Sequence, residues 1–186
     1  ATDPKIRSDL TSQYWGANFI FSFPAAFELR SAFRWSDRHP GWHAGVLLGM
    51  SLSILSIYSG NSFLTPAQES QNPEYAGYKR GDYINLSLLP GFVVTYANRT
   101  GFYTSLIFLY GGGVTSADLS VTAGIRRQIT DNNKVNLKLI FGQEFGGAFM
   151  TATFFFDYTA PGAFTRSTFV VAGFSAAADI SLGFRF

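Results

Sequence analysis

Alternation of apolar and polar side chains with a period of two constrains this fold most strongly. One stretch sets Val135, Leu137, Leu139 and Phe141 against Asn136, Lys138, Ile140 and Gly142. Another sets Ala117, Leu119, Val121, Ala123 and Ile125 against Asp118, Ser120, Thr122, Gly124 and Arg126. The last residues set Ala178, Ile180, Leu182, Phe184 and Phe186 against Asp179, Ser181, Gly183 and Arg185. Because successive side chains of a strand point to opposite faces, the pattern predicts strands with one apolar face each.

The low charge of the chain indicates what those apolar faces touch. Only 14% of the residues are charged and 17% are aromatic, whereas roughly 25% are charged in an ordinary soluble domain. A wall that faces lipid needs few charges, so we expect a closed antiparallel transmembrane β-barrel whose apolar faces point outward. Closure is required because an open edge would leave backbone amides unpaired in hydrocarbon.

Two other folds compete with the barrel. A soluble β-sandwich alternates in the same way but turns its apolar faces inward, which would leave the charged residues in water. The uncharged stretch 44–68 is long enough for a membrane helix, but Gly45, Gly49 and four serines interrupt it. The alternation in the rest of the chain favours strands there too.

Turn residues divide the chain into about ten strands, with eight as the alternative. The predicted strands are 13–23, 26–36, 43–58, 82–97, 101–111, 116–129, 134–146, 148–158, 165–174 and 177–186. Polar or glycine-rich turns are predicted at 98–101, 111–113, 130–133 and 146–147. Pro90 and Gly91 lie inside a strand and predict a bulge or kink.

The whole chain, 1–186, forms a single barrel domain in this interpretation. The long polar connection 59–81 becomes an extracellular loop, because bacterial barrels place their longer loops outside. Counting strands from that loop puts the segment 1–11 on the periplasmic side.

The inward faces carry five positive and five negative side chains. The predicted lumen residues are Glu28, Arg30, Arg34, Asp118, Arg126, Lys138, Glu144, Asp157, Asp179 and Arg185. Enclosed charges must pair or touch water, because isolated burial is costly. They form either a salt-bridge network that fills a narrow barrel or the lining of a water-filled pore.

Several kinds of chemistry find no support in the sequence. The net charge of +2 and the scattered basic residues argue against nucleic acid as a partner. The chain has no cysteine, and its two histidines, His39 and His43, are too few for a convincing metal site. We therefore predict no cofactor, no metal site and no catalytic residue, and we leave enzymatic activity open.

Two short segments resemble known membrane proteins. The alternation that ends in Phe184 and Phe186 resembles the last strand of small bacterial outer-membrane β-barrels of the monomeric kind, whose terminal Phe is read during assembly. This resemblance implies residence in a Gram-negative outer membrane and recognition of Phe186 by the barrel-assembly machinery. Residues 83–90, which end in Pro90, are similar to a proline-interrupted strand of the lipid A palmitoyltransferase family, where the break admits a lipid chain sideways.

Three functions are compatible with such a barrel. The first is a porin-like channel or transport protein for small polar solutes, with membrane lipid and lipopolysaccharide around it. The second is an enzyme that modifies outer-membrane lipid as an acyltransferase or deacylase. The third is a structural or adhesive barrel that uses the loop 59–81.

Overall fold

The computed structural model describes residues 9–23, 40–161 and 173–184, and its fold is all-β. One antiparallel sheet contains seven strands in chain order. They are β1 (Leu10–Ser22), β2 (Gly41–Ser59), β3 (Arg80–Ala97), β4 (Phe102–Val121), β5 (Gly124–Phe145), β6 (Ala148–Pro161) and β7 (Gly173–Phe184). This confirms the all-β antiparallel prediction, while closure of the sheet and its strand number stay predictions.

One predicted strand, 26–36, lies outside the described residues, as does most of 165–174. Within the described ranges, no helix has the length and apolar character needed to cross a membrane.

Two predicted turns are wrong. β4 runs without a break through 111–113, and β5 runs through 130–133. The connection between these strands lies at Thr122 and Ala123, before Gly124 with its φ of 124°. The polar residues at 130–133 look like a turn in a protein surrounded by water, but Asn132 is buried and accepts a hydrogen bond from Ser87. A polar residue with a partner inside the sheet does not need a turn.

The other two predicted turns are confirmed. The Asn98 side chain accepts hydrogen bonds from the backbone amides of Thr100 and Phe102 between β3 and β4. Gly146 and Gly147 both have positive φ between β5 and β6, a backbone conformation in which glycine lacks the steric cost of other residues.

Pro90 and Gly91 lie within β3, which continues through both residues. A Cβ on Gly91 would lie 2.0 Å from the carbonyl oxygen of Phe108. A Cβ on Gly111 would lie equally close to the carbonyl oxygen of Leu88. Both glycines are therefore required by the close approach of the β3 and β4 backbones.

The described residues divide into two units. Unit 1 comprises 9–17, 52–86 and 114–130, and unit 2 comprises 18–23, 40–51, 87–113, 131–161 and 173–184. The apolar core of unit 2 consists of Leu47, Leu89, Val93, Ala97, Tyr103, Ile107, Leu109 and Ile140. The buried apolar residues of unit 1 are Leu64, Tyr75, Tyr78, Tyr83, Ala117 and Leu119.

In the second half of β4, the apolar residues lie on a different face from the one predicted. The alternation places Ala117 and Leu119 on the lipid-facing side, but their exposed fractions are only 5% and 1%. Because no turn interrupts β4 at 111–113, these residues keep the parity of the buried Ile107 and Leu109. Asp118 lies on the opposite face of the strand.

The long connection between β2 and β3 contains helix α1 (Pro66–Gln71) and a 3₁₀ turn (Pro73–Tyr75). Thr65 and Gln68 form a capping box at the start of α1. Glu69 accepts hydrogen bonds from Ser62 Oγ at 2.6 Å and from the Gly77 amide at 2.8 Å. These two bonds lower the pKa of Glu69, because they favour its charged form.

The start of β1 lies beside this connection. Asp9 Oδ2 accepts hydrogen bonds from Ser59 Oγ at 3.0 Å and from the Asn61 amide at 3.1 Å. Asp9 therefore lies at the same end of the strands as the segment 59–81, whereas the sequence-based topology puts 1–11 and 59–81 on opposite sides.

Candidate functional site

The exposed face of β2 and β3 is rich in large apolar side chains, and the buried face mixes polar with apolar ones. In β2 the exposed side chains include Trp42, Val46, Met50, Leu52, Ile54 and Tyr58. In β3 they include Ile84, Leu86, Leu88 and Phe92. The buried faces of the same strands carry the polar residues Ser51, Ser53, Ser59, Ser87 and Thr95 beside the apolar residues Leu47, Leu89, Val93 and Ala97. A soluble protein buries its large apolar side chains and exposes polar ones.

Different residues flank the apolar part of the exposed face at its two ends. At one end the rings of Trp42 in β2 and Tyr96 in β3 lie 4.9 Å apart between centroids. At the other end Ser56 Oγ donates to Asp82 Oδ1 over 2.7 Å. The apolar stretch therefore runs from Trp42 to Ile54 in β2 and from Ile84 to Tyr96 in β3.

The most unusual buried group is Lys134 in β5, whose exposed fraction is 2%. Its Nζ lies 3.1 Å from Asp157 Oδ2 in β6 and donates to Ser51 Oγ in β2 over 2.8 Å. Burial of an unpaired ammonium group costs far more than one hydrogen bond returns. The carboxylate and the hydroxyl therefore make this position possible.

Amide and hydroxyl groups extend the polar lining around Lys134 in unit 2. Asn136 Nδ2 donates to Asp157 Oδ2 over 3.4 Å, and Ser87 Oγ donates to Asn132 Oδ1 over 2.9 Å. The paired hydroxyls of Thr95 and Ser105 lie 2.9 Å apart. Buried polar groups paired in this way form a stable lining with no net charge at the ion pair.

In unit 1 residues of the β2–β3 connection pack against side chains of the strands. Arg126 in β5 stacks over the Tyr75 ring, with its Cζ 4.7 Å from the centroid. Gln128 donates to the Tyr75 hydroxyl, and the hydroxyls of Tyr78 and Tyr83 are hydrogen-bonded to each other. Burial raises the pKa of Tyr78 well above its usual value. The aromatic residues of the loop thus turn inward.

The predicted lumen residues fall into three groups. Glu28, Arg30, Arg34 and Arg185 lie outside the described residues. Asp118 and Arg126 belong to unit 1, where Asp118 lies on the exposed face and forms an ion pair with Arg127. Lys138, Glu144, Asp157 and Asp179 belong to unit 2.

Within unit 2, these four residues have different surroundings. Asp157 is buried against Lys134, and Lys138 lies in the wall of a cavity. Asp179 is exposed and accepts a hydrogen bond from Ser181. The backbone amide of Glu144 donates to the Gly101 carbonyl.

Sequence reasoning missed Lys134. The interpretation of 130–133 as a turn made Lys134 the first residue of a strand and removed it from the inward set. Its parity with Asn136 and Lys138 would have placed it on the inward face.

A cavity of about 200 Å³ lies in unit 2. Apolar side chains form most of its wall, among them Ile20, Leu89, Ile107, Leu109 and Phe155. Asn136 and Lys138 supply polar groups to the same wall.

Among the residues with described positions, no three His, Cys, Asp or Glu side chains form a group that would hold a metal ion. No protein-family model, curated protein or solved structure matches the chain at a significant level. The fold and the polarity of its faces are therefore the basis for any functional conclusion.

We expect the Lys134–Asp157 pair to behave as a unit in stability measurements. Lys134→Met leaves a buried carboxylate and Asp157→Leu leaves a buried ammonium, so each single change should cost about 3 kcal/mol of unfolding free energy. The double variant Lys134→Met/Asp157→Leu should recover most of that loss, because it buries no charge. Denaturant titration of all four proteins measures the coupling, and additive losses would contradict it.

Proposed function

We propose that this chain spans a Gram-negative outer membrane as a closed β-barrel and forms a narrow passage for small polar solutes. The observation that carries the proposal is an exposed face rich in large apolar side chains together with an ion pair on the buried face. Water outside and an apolar core inside would favour the opposite arrangement. Lipid outside and a polar interior favour the observed one.

The strands are long enough for this role. A tilted strand crosses a bilayer with about 9–11 residues, and β2 and β3 contain 19 and 18 residues. Trp42 and Tyr96 lie at one end of the apolar stretch, where aromatic rings anchor barrels at the membrane surface. Closure belongs to the proposal because hydrocarbon does not tolerate an unpaired sheet edge.

The buried face suggests a passage that is narrow and nearly neutral. Ser51, Lys134 and Asp157 are joined by hydrogen bonds and an ion pair, so the lining offers polar groups of both charges. Unit 2 also packs Leu47, Ile107 and other apolar side chains on the same face. A passage lined in this way would admit small solutes and select weakly between cations and anions.

The resemblance of residues 178–186 to the last strand of outer-membrane barrels supports an outer-membrane location. Ile180 and Leu182 in β7 are exposed, as are Asp179 and Ser181 on the other face of the strand; in the proposed barrel Ile180 and Leu182 face lipid. Their alternation leads to Phe186, the residue through which we propose that the barrel-assembly machinery recognises the chain.

A charge introduced into the exposed apolar face tests the membrane orientation. Leu88 in β3 has an exposed fraction of 55%, so Leu88→Arg would cost little in water. In lipid the same change should lower the unfolding free energy by about 2–4 kcal/mol. Reversible urea unfolding in phospholipid vesicles provides the measurement.

Tyr58→Arg is the matched control. Tyr58 is also exposed on β2, but it lies beyond the apolar stretch, next to the strand end at Ser59. We expect a loss of less than about 1 kcal/mol at this position, since arginine is tolerated near the membrane surface. Equal effects of the two variants, or a wild-type protein that stays monodisperse without detergent, would refute the membrane orientation.

Planar bilayers test the passage itself. The wild-type protein should show small discrete conductance steps, and Lys134→Met/Asp157→Leu should change the conductance because it removes both charges from the lining. Leu88→Met should leave the conductance unchanged, since Leu88 lies on the exposed face. Silence of a folded, inserted protein across several salts and voltages would exclude the passage but not the barrel.

A lipid-modifying enzyme is the second candidate, because the apolar cavity of unit 2 includes Leu89, next to Pro90. A cavity with apolar walls and a lysine suits an acyl chain that ends in a polar group. Incubation of the folded protein with isotope-labelled phospholipid and lipid A should then give acyl transfer or release detectable by mass spectrometry. Unchanged lipid would remove this candidate.

A further inference from the structure

Four charged side chains lie on the exposed face of unit 1, where the apolar stretch ends. They are Arg80 and Asp82 in β3, Asp118 in β4 and Arg127 in β5. We call this set the charged row. From it we propose that the exposed face of unit 1 binds the phosphate of a membrane lipid headgroup, an inference that rests on the proposed membrane-spanning function.

The first step is the orientation of the two guanidinium groups. Arg127 donates through Nε and Nη2 to the two carboxylate oxygens of Asp118, at 2.7 and 2.8 Å. Arg80 donates through the same two nitrogens to Asp82, at 2.9 and 3.4 Å. Each carboxylate therefore fixes one edge of its arginine and reduces the side-chain freedom that binding would otherwise remove.

The second step is the donor capacity that remains. Among the described residues, neither arginine has a protein partner for its Nη1 group. The side chains of Arg80 and Arg127 are 58% and 70% exposed. Planar guanidinium groups suit phosphate oxygens because they present several N–H donors in one fixed plane.

The third step is the position of the row relative to lipid. Ile84, the first residue of the apolar stretch in β3, lies two residues after Asp82 and shares its exposed face. A lipid whose acyl chain lies against Ile84 and Leu86 would carry its headgroup to the level of Asp82 and Arg80. Exposed Lys79 directly precedes Arg80 in the chain. With Lys79 counted, three cations and two carboxylates give this part of the chain one net positive charge, which complements an anionic phosphate.

Native mass spectrometry in an uncharged detergent tests the proposal. The full chain is incubated with phosphatidylglycerol or with a glucosyl diacylglycerol, which has similar acyl chains but no phosphate. The wild-type protein should retain phosphatidylglycerol preferentially. Arg80→Gln and Arg127→Gln should each weaken that retention about fivefold, the factor that corresponds to about 1 kcal/mol per basic residue near a membrane surface.

Arg99→Gln is the matched control, because Arg99 is also exposed but lies in the turn between β3 and β4. It should bind phosphatidylglycerol as the wild type does. Arg80→Lys and Arg127→Lys keep the charge but lose the planar guanidinium donors. These variants should retain phosphatidylglycerol less than the wild type and more than the Gln variants. Inorganic phosphate at millimolar concentration should displace little lipid, since it lacks acyl chains.

Equal retention of the two lipids by the wild type, or equal loss in Arg99→Gln, would overturn the headgroup site. Displacement by inorganic phosphate would also overturn it and indicate a site for free anions. A failure of the proposed function would be recognised separately. In that case Leu88→Arg and Tyr58→Arg would lower the unfolding free energy in vesicles equally. Heat-modifiable migration on a gel, checked for every variant, shows that each protein has folded.

Discussion

The structure depends on a strict separation between the two faces of each strand. Because side chains alternate along a strand, a register shift of one residue would move every group to the other face. Such a shift in β5 would take Lys134 away from Asp157 and Ser51, and would bury Leu137 and Leu139 in its place. The buried ion pair therefore adds to the preference for one register of β5, because a shifted register would leave a buried charge without its partner.

Polar partners on the same face explain how the sheet tolerates a lysine at a position that is 2% exposed. Lys134 is approached from two other strands, by Ser51 of β2 and by Asp157 of β6. These partners are distant in sequence, so the site forms only when β2, β5 and β6 have come together. Burial of the pair gains little stability by itself, and its value lies in specifying the arrangement of the strands.

Much of the fold was predictable because alternation is a local property. The strand character of β2, β3, β5 and β6 follows from the parity of their side chains, and the turns at 98–101 and 146–147 follow from their own residues. The errors arose where a local signal has two meanings. Four polar residues at 130–133 form a turn when water surrounds them, yet they continue a strand when a neighbour such as Ser87 pairs with Asn132. The parity of Ala117 was misassigned because the expected turn at 111–113 is absent from β4.

For the buried ion pair, the sequence indicates the face on which Asp157 lies but not the residue that it meets. That Asp157 points inward follows from its alternation with Phe156 and Tyr158, both exposed. That it meets Lys134 does not follow, because the register between β5 and β6 aligns Asp157 with Asn136 and Lys134 with Thr159. The ion pair thus crosses the ladder diagonally, a contact within reach of a long side chain. Lysine reaches this partner because four methylene groups carry its charge away from its own backbone, so a shorter cation at position 134 would leave the Asp157 carboxylate without its countercharge.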